Sequence, residues 1–148
     1  MIRRGTDVSV VGAQSVAWIL VVLLGEIDLV FTVLYLQVTA GIGISIVIFS
    51  VIQLGSRSYS PSTRPSTSNV FVQRGIYRYV RHPLYSGLLI VGLAFFLSQP
   101  TLIGGSAFLV LVLVTNVRAS LEEEMLEDRH SDYAEYTART KRFIPLVI

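Results

Sequence analysis

Four apolar stretches, Val8 to Leu24, Leu29 to Leu54, Leu84 to Ser98 and Thr101 to Val117, occupy most of this 148-residue chain and leave it few ways to fold. A spanning helix needs roughly 17 to 25 predominantly apolar residues. The second stretch meets that length outright, and the other three sit at its short end or borrow flanking residues. With 52% hydrophobic and only 15% charged residues, the chain is too apolar for a soluble domain of its size. The expectation is therefore a single all-α, polytopic membrane helix bundle of about four transmembrane helices. Met1-Ile2-Arg3-Arg4 ahead of the first apolar run resembles a signal peptide. Gly25-Glu26 supplies no small-x-small cleavage site, however, so the segment reads as a retained first helix.

The cations orient the bundle. Lysine and arginine in short loops favour the cytoplasmic side, whatever the acidic residues do. With four spans, all twelve fall on one side: Arg3 and Arg4, then Arg57, Arg64, Arg74, Arg78 and Arg81, then Arg118, Arg129, Arg139, Lys141 and Arg142. The opposite side holds Glu26 and Asp28 in one turn and Ser98-Gln99-Pro100-Thr101 in the other, with no cation. Both termini are thus expected to be cytoplasmic, and the segment after the fourth span to form a cytoplasmic C-terminal helix. A formal charge of +2 does not indicate nucleic acid, because the arginines border apolar spans instead of alternating with aromatics on a soluble face. Cysteine is absent, which excludes disulfides, thiolate metal sites and a cysteine nucleophile.

Between the second and third spans, residues 55–69 are rich in Ser, Thr and Pro and predict a loop along the headgroups. Val70 to Val80, with Phe71, Ile76, Tyr77 and Tyr79 among Arg74 and Arg78, predicts a short interfacial segment turning at Gly75. Gly41 and Gly43 lie inside a span, with no phosphate-loop lysine nearby, and are expected to permit close helix packing. No Gly-x-x-x-Gly nominates a dimer face.

Polar chemistry concentrates at two places that an apolar hairpin of about thirty residues separates in sequence and returns to one membrane face: Arg81-His82-Pro83-Leu84-Tyr85-Ser86-Gly87 and Leu121-Glu122-Glu123-Glu124. Pro83 disfavours helix at His82 and suits a first helical position, so the third span is expected to start there. Its N-terminus beside Arg81 would then form an anion-binding corner, with Ser86 and Gly87 keeping the first turn slim enough for a ligand to approach. The bland alternative is an arginine that snorkels at a span end. Ser120 with Glu123 fits a capping box, and glutamates in a first helical turn suit the macrodipole, so that triplet also has an ordinary explanation. That explanation leaves open why three carboxylates stand where the fourth span meets Arg81 and His82. Farther on, Tyr133, Tyr136 and either Arg139 or Thr140 share one face of a helix expected to fold back over this mouth. His130 has no metal-ligand spacing and is assigned to the surface.

Taken together, these residues are similar to the isoprenylcysteine carboxyl methyltransferase and phospholipid methyltransferase group of membrane enzymes. Gly75-Ile-Tyr-Arg-Tyr-Val-Arg-His-Pro-Leu-Tyr85 resembles that group's Gly-x-Tyr-x-x-x-Arg-His-Pro-x-Tyr motif, and Glu122-Glu123-x-x-Leu126 its Glu-Glu-x-x-Leu motif. Tyr133-x-x-Tyr136 and Arg142-Phe-Ile-Pro145 resemble its C-terminal signature. The likeness covers roughly residues 38 to 146, with a catalytic core over about 70 to 146. One departure is His130-Ser131, where the group usually carries Phe-Gly.

The resemblance implies S-adenosylmethionine as methyl donor and a lipophilic or prenylated acceptor entering from the membrane lipid. It implies that Tyr77, Arg81, His82, Pro83 and Tyr85 line the cofactor pocket, that Glu122 and Glu123 contact the cofactor, and that Tyr133, Tyr136 and Arg139 close it. Arg81, His82 and Arg139 are the catalytic candidates. A carboxylate acceptor needs only orientation, by Arg81 or Arg139, whereas an amine acceptor, as in phospholipid N-methylation, needs a base such as His82. Two rivals belong to other classes. NADPH-dependent sterol reductases share a similar C-terminal pattern but are built on more spans, and a non-catalytic membrane scaffold would have no need to bind S-adenosylmethionine.

Overall fold

The computed structural model describes residues 4–55 and 72–143, with side chains described from Val8 onward. The Ser-, Thr- and Pro-rich loop, with Arg57, Arg64 and Phe71, lies outside these residues, as do Arg3 and Pro145. Every regular element among the described residues is helical: α1 (Arg4–Leu24), α2 (Ile27–Thr32), α3 (Leu34–Leu54), a 3-10 turn (Gly75–Arg78), α4 (Pro83–Ser98), α5 (Leu102–Glu127) and α6 (Tyr133–Arg139). By length and composition, α3 and α5 are long and apolar enough to cross a membrane, while α4 and the apolar part of α1, Val8–Leu24, are shorter.

The second apolar stretch is not one helix. It breaks at Val33, whose extended backbone (φ −96°, ψ 118°) separates α2 from α3. Thr32 and Val33 are β-branched, which weakens a helix at that point. Side chains take over its backbone bonding: Thr32 Oγ1 donates to the Asp28 carbonyl at 2.8 Å, and the Gln37 amide donates to the Phe31 carbonyl. At the N-terminal end of α2, the Glu26 N–H donates to Ser98 Oγ at 2.8 Å, tying that end to the end of α4. Irregular backbone among apolar helices persists only where its polar groups are satisfied in this way.

α4 is the central helix, packed on α3 along most of its length and touched by α1, α2 and α5. Its closest approach is glycine on glycine. A Cβ on Gly43 would sit 2.7 Å from the Gly87 carbonyl oxygen, and one on Gly87 would sit 2.7 Å from that of Gly43. Gly41, by contrast, faces open space, so Gly43 alone fulfils the packing role expected of that pair. Because Gly87 is spent on α3, it does not open the first turn of α4 to a ligand. On the other side, α1 packs against α5 through Ala17, Val21 and Leu111, bordered by Trp18, Leu89, Phe95 and Phe108.

α5 also departs from expectation. It runs unbroken past Val117 to Glu127, carrying its last ten residues beyond the apolar stretch. The capping box at Ser120 does not form: Ser120 Oγ donates back to the Asn116 carbonyl at 3.1 Å, inside the helix. Glu122, Glu123 and Glu124 therefore stand in the last turns of α5, where the macrodipole opposes negative charge.

Replacing Gly43 or Gly87 by alanine is expected to force α3 from α4 at a cost of roughly 1–3 kcal/mol. Gly41→Ala should be neutral. Thermal unfolding of the three variants in one detergent checks the difference.

Candidate functional site

Local sequence places Arg81 and His82. The turn at Gly75 adopts φ +62°, which a side chain would strain, and the Gln53 amide fills the space a Cβ would need. Gln53 Oε1 accepts the Ile76 N–H at 3.0 Å, docking the 3-10 turn on the end of α3. The chain then runs alongside the C-terminal segment in a short parallel pairing. The Arg81 N–H donates to the Lys141 carbonyl at 2.7 Å, the His82 N–H to the Arg142 carbonyl at 3.0 Å, and the Lys141 N–H to the Tyr79 carbonyl at 3.0 Å. Pro83 opens α4 as expected, with His82 at its N-cap. Ser86 Oγ donates to the Phe143 carbonyl at 2.6 Å, so this hydroxyl binds the tail instead of exposing the turn to a ligand.

Glu123 is the point at which these segments meet. Its Oε1 accepts from Arg81 Nε at 2.7 Å and from His82 Nε2 at 3.1 Å, and its Oε2 accepts from Arg142 Nη2. Arg81 is further engaged by the Thr137 and Thr140 carbonyls at 3.1 and 2.6 Å, and Arg142 by Asn116 Oδ1 at 2.8 Å and Ser120 Oγ at 3.1 Å. Burial pushes the Glu123 carboxyl up, but hydrogen bonds from His82, Arg142 and Arg81 outweigh it and hold the group down at about 2. A depressed carboxyl contributes stability that is present above its ordinary value of 4.5 and is lost as pH falls through about 2. The node thus stays charged across the physiological range.

Glu122, one position earlier, faces a different set of groups. Its Oε2 accepts from the Tyr85 hydroxyl at 2.9 Å and lies 3.9 Å from His82 Nδ1. The His82 and Tyr85 rings stack with centroids 5.4 Å apart and planes 8° from parallel, and Phe143 tilts against His82 at 6.0 Å. Arg118 lies over the Tyr85 ring at 5.4 Å. Arg118 also donates to the Gln14 side-chain oxygen, and Gln14 donates to Thr115 Oγ1 at 3.0 Å.

α6 closes one side. Tyr133 and Tyr136 are buried, and the Tyr136 hydroxyl donates to the Tyr77 carbonyl at 2.7 Å. Burial raises the phenols of Tyr77 and Tyr133, and pushes Tyr136 up to about 12. All three stay protonated. Thr140, not Arg139, completes the inward face: its hydroxyl donates to the Tyr136 carbonyl at 2.6 Å, whereas Arg139 lies more than half exposed and pairs with Glu135 at 3.5 Å.

The structure thus brings together Arg81, His82, Pro83, Tyr85, Glu122, Glu123, Tyr133, Tyr136 and Tyr77, and leaves Arg139 outside. No group of three or more His, Cys, Asp and Glu among the described residues has a metal-binding arrangement. Arg142, Arg118 and Gln14 join a cluster for which sequence reasoning had not nominated them. Each carried a signal: Arg142 begins the C-terminal signature, Arg118 precedes Glu122 by one helical turn, and Gln14 is an amide inside an apolar helix.

A sequence model of the isoprenylcysteine carboxyl methyltransferase family matches residues 33–128, which is α3 to the end of α5 together with the Arg-His-Pro and Glu-Glu segments. The chain belongs to this family. Comparison with curated proteins and with solved structures gives no match. Membership in the isoprenylcysteine carboxyl methyltransferase family makes it a membrane protein of methyltransferase lineage, and the matched residues hold both halves of the Glu123 node except Arg142.

Glu123→Gln removes the charge that Arg81 and Arg142 share and is expected to cost roughly 3 kcal/mol, the scale for breaking a buried ion pair. Glu127→Ala, at an exposed position on the same helix, should leave stability unchanged. Denaturant unfolding in detergent measures both.

Proposed function

We propose that the protein is an S-adenosylmethionine-dependent membrane methyltransferase that esterifies the carboxylate of a prenylated, lipophilic acceptor. The observation that carries this reading is the pair of adjacent glutamates with opposite employment. Glu123 is saturated by Arg81, His82 and Arg142 and organises the site, while Glu122 takes one hydrogen bond from Tyr85 and keeps acceptor capacity for a ligand.

This donor set fits the cofactor. Glu122 would hold an ammonium or a ribose hydroxyl, and the stacked His82 and Tyr85 rings would face a sulfonium, a cation that aromatic faces attract. The buried phenols of Tyr133 and Tyr136 exclude water from that side. When bound, S-adenosylmethionine supplies a methyl carbon that forms a bond to an acceptor oxygen as the carbon–sulfur electron pair returns to sulfur. No proton moves when the acceptor is a carboxylate, so the residues need only align, desolvate and hold. Arg81, fully engaged by Glu123, Thr137 and Thr140, is a positioning residue in this scheme. An amine acceptor would need a base, and His82 Nε2 is already committed as a donor to Glu123.

In the membrane, α1, α2 with α3, α4 and α5 form four passes, α4 being short at about 24 Å. The cation-rich ends, both termini and α6 are cytoplasmic, with Glu26, Asp28 and Gln99 on the far side.

Calorimetric titration of the purified protein with S-adenosylmethionine and S-adenosylhomocysteine tests the reading. Micromolar binding of both, lost in His82→Ala, is expected. Absence of binding in detergent and in lipid would overturn it in favour of a scaffold or a reductase.

A further inference from the structure

Most described cations are engaged within the protein. Arg81 and Arg142 pair with Glu123, Arg139 pairs with Glu135, and Arg118 meets Gln14 and the Tyr85 ring. Arg74, Arg78 and Lys141 differ: they are exposed and form no ion pair among the described residues. No Asp or Glu stands in residues 56–71 or 144–148 to supply one. The backbone gathers these three at one place. Lys141 bridges to Val80 and donates its N–H to the Tyr79 carbonyl, which sets it beside the 3-10 turn whose N-cap is Arg74 and whose last residue is Arg78. The exposed carboxylates stand apart, with Glu124, Glu127 and Asp128 at the end of α5 and Asp132 and Glu135 at α6. Where α6 borders the strip, the contact is a neutral amide: Gln73 donates to Asp132 at 3.4 Å and accepts from Arg139.

The depth of this cationic strip follows from its neighbours. Gln53 docks the turn on the end of α3, a helix long and apolar enough to cross a membrane. Ile76 and Val80, from the same turn, line an apolar hollow of about 490 Å³ together with Ile46, Leu89 and Phe143. Tyr79, between them, is 62% exposed. A segment that gives aliphatic side chains to the apolar region and shows a tyrosine and cations outward sits at the level of the lipid head groups. Like charges gathered there repel one another until an anion lies among them. The anion that a membrane presents at this depth is the phosphate of an acidic lipid, and guanidinium and ammonium groups both donate to phosphate oxygens.

We propose that the head group of an anionic phospholipid binds between the 3-10 turn and the tail, its phosphate shared by Arg78 and Lys141, with Arg74 adding to the positive potential. A zwitterionic lipid carries the same phosphate, but its own cation offsets the charge, so the site selects net negative head groups. Because Arg78 and Lys141 come from the two segments whose pairing presents Arg81 and His82 to Glu123, the bound head group also clamps that pairing. The site goes beyond the methyltransferase reading and stands whether or not a methyl group is transferred.

The full protein, equilibrated in mild detergent with equal amounts of phosphatidylglycerol and phosphatidylcholine, is examined by native mass spectrometry for retained lipid. Phosphatidylglycerol is expected to be retained at least about fivefold over phosphatidylcholine, the scale of one cation at an anionic membrane surface. Arg78→Gln and Lys141→Gln should each bring the ratio toward one. Arg139→Gln removes the same charge on the α6 side and should leave it intact. Equal retention of the two lipids by the unaltered protein overturns the proposal, and this needs no variant to fold. A preference that survives Arg78→Gln and Lys141→Gln, or that falls as much in Arg139→Gln, overturns it as well, since net charge or another site would then be responsible. The clamp predicts a higher unfolding temperature in nanodiscs containing phosphatidylglycerol than in phosphatidylcholine alone, with the gain lost in Lys141→Gln; no gain refutes the bridge between turn and tail. Binding of a labelled polyglutamate peptide to phosphatidylcholine nanodiscs, abolished by Arg78→Gln, would assign the strip to an acidic soluble partner and overturn the lipid site.

Discussion

One carboxylate, Glu123, holds the working end of this molecule together. It sits near the C-terminus of α5, where the helix dipole is unfavourable to it, and it is buried, which is unfavourable again. Two arginines and an imidazole from two distant segments, Arg81 and His82 before α4 and Arg142 in the tail, offset both costs. Removing any of them leaves charge uncompensated in a half-dry setting, so the loop before α4, the end of α5 and the tail form one unit. The backbone pairing of Arg81 and His82 with Lys141 and Arg142 is the covalently local expression of the same constraint.

That unit frees its neighbour. Because Arg81 and Arg142 pair with Glu123, Glu122 keeps an accessible carboxylate beside two stacked rings. The division of labour between adjacent glutamates explains why a paired motif is needed: one residue builds the site, and the other addresses what binds there. The glycine contact of α3 with α4 supports this arrangement from below, fixing the helix whose N-terminus carries Pro83, Tyr85 and Ser86.

Much of this was legible in the sequence, for physical reasons. Pro83 announces a helix start because it lacks an N–H and carries a preset φ, and Gly75 announces a turn because φ +62° excludes most side chains. The hairpin length and the cation distribution bring Arg81 and His82 toward Glu122 and Glu123. What was not legible depended on tertiary contact. The break at Val33 lies in an uninterrupted apolar run and is stabilised by the side chains of Thr32 and Gln37. Ser120 and Glu123 have capping-box spacing inside a continuous helix, so a local motif was overridden by propagation of α5. Arg139 and Thr140 are adjacent, and only packing of α6 decides that the threonine points inward. Gln14 carries only the signal of an amide inside an apolar helix, and its meaning comes from Thr115 and Arg118, about a hundred residues away.

The account stands or falls on where a methyl group goes. Incubating the protein in nanodiscs with S-adenosylmethionine deuterated in its methyl group and a prenylcysteine acid, followed by mass spectrometry of the lipophilic products, asks this directly. The account predicts the labelled methyl on the carboxyl oxygen, as an ester that mild base removes. Label on nitrogen, or no labelled product from an S-adenosylmethionine-binding protein, would contradict it.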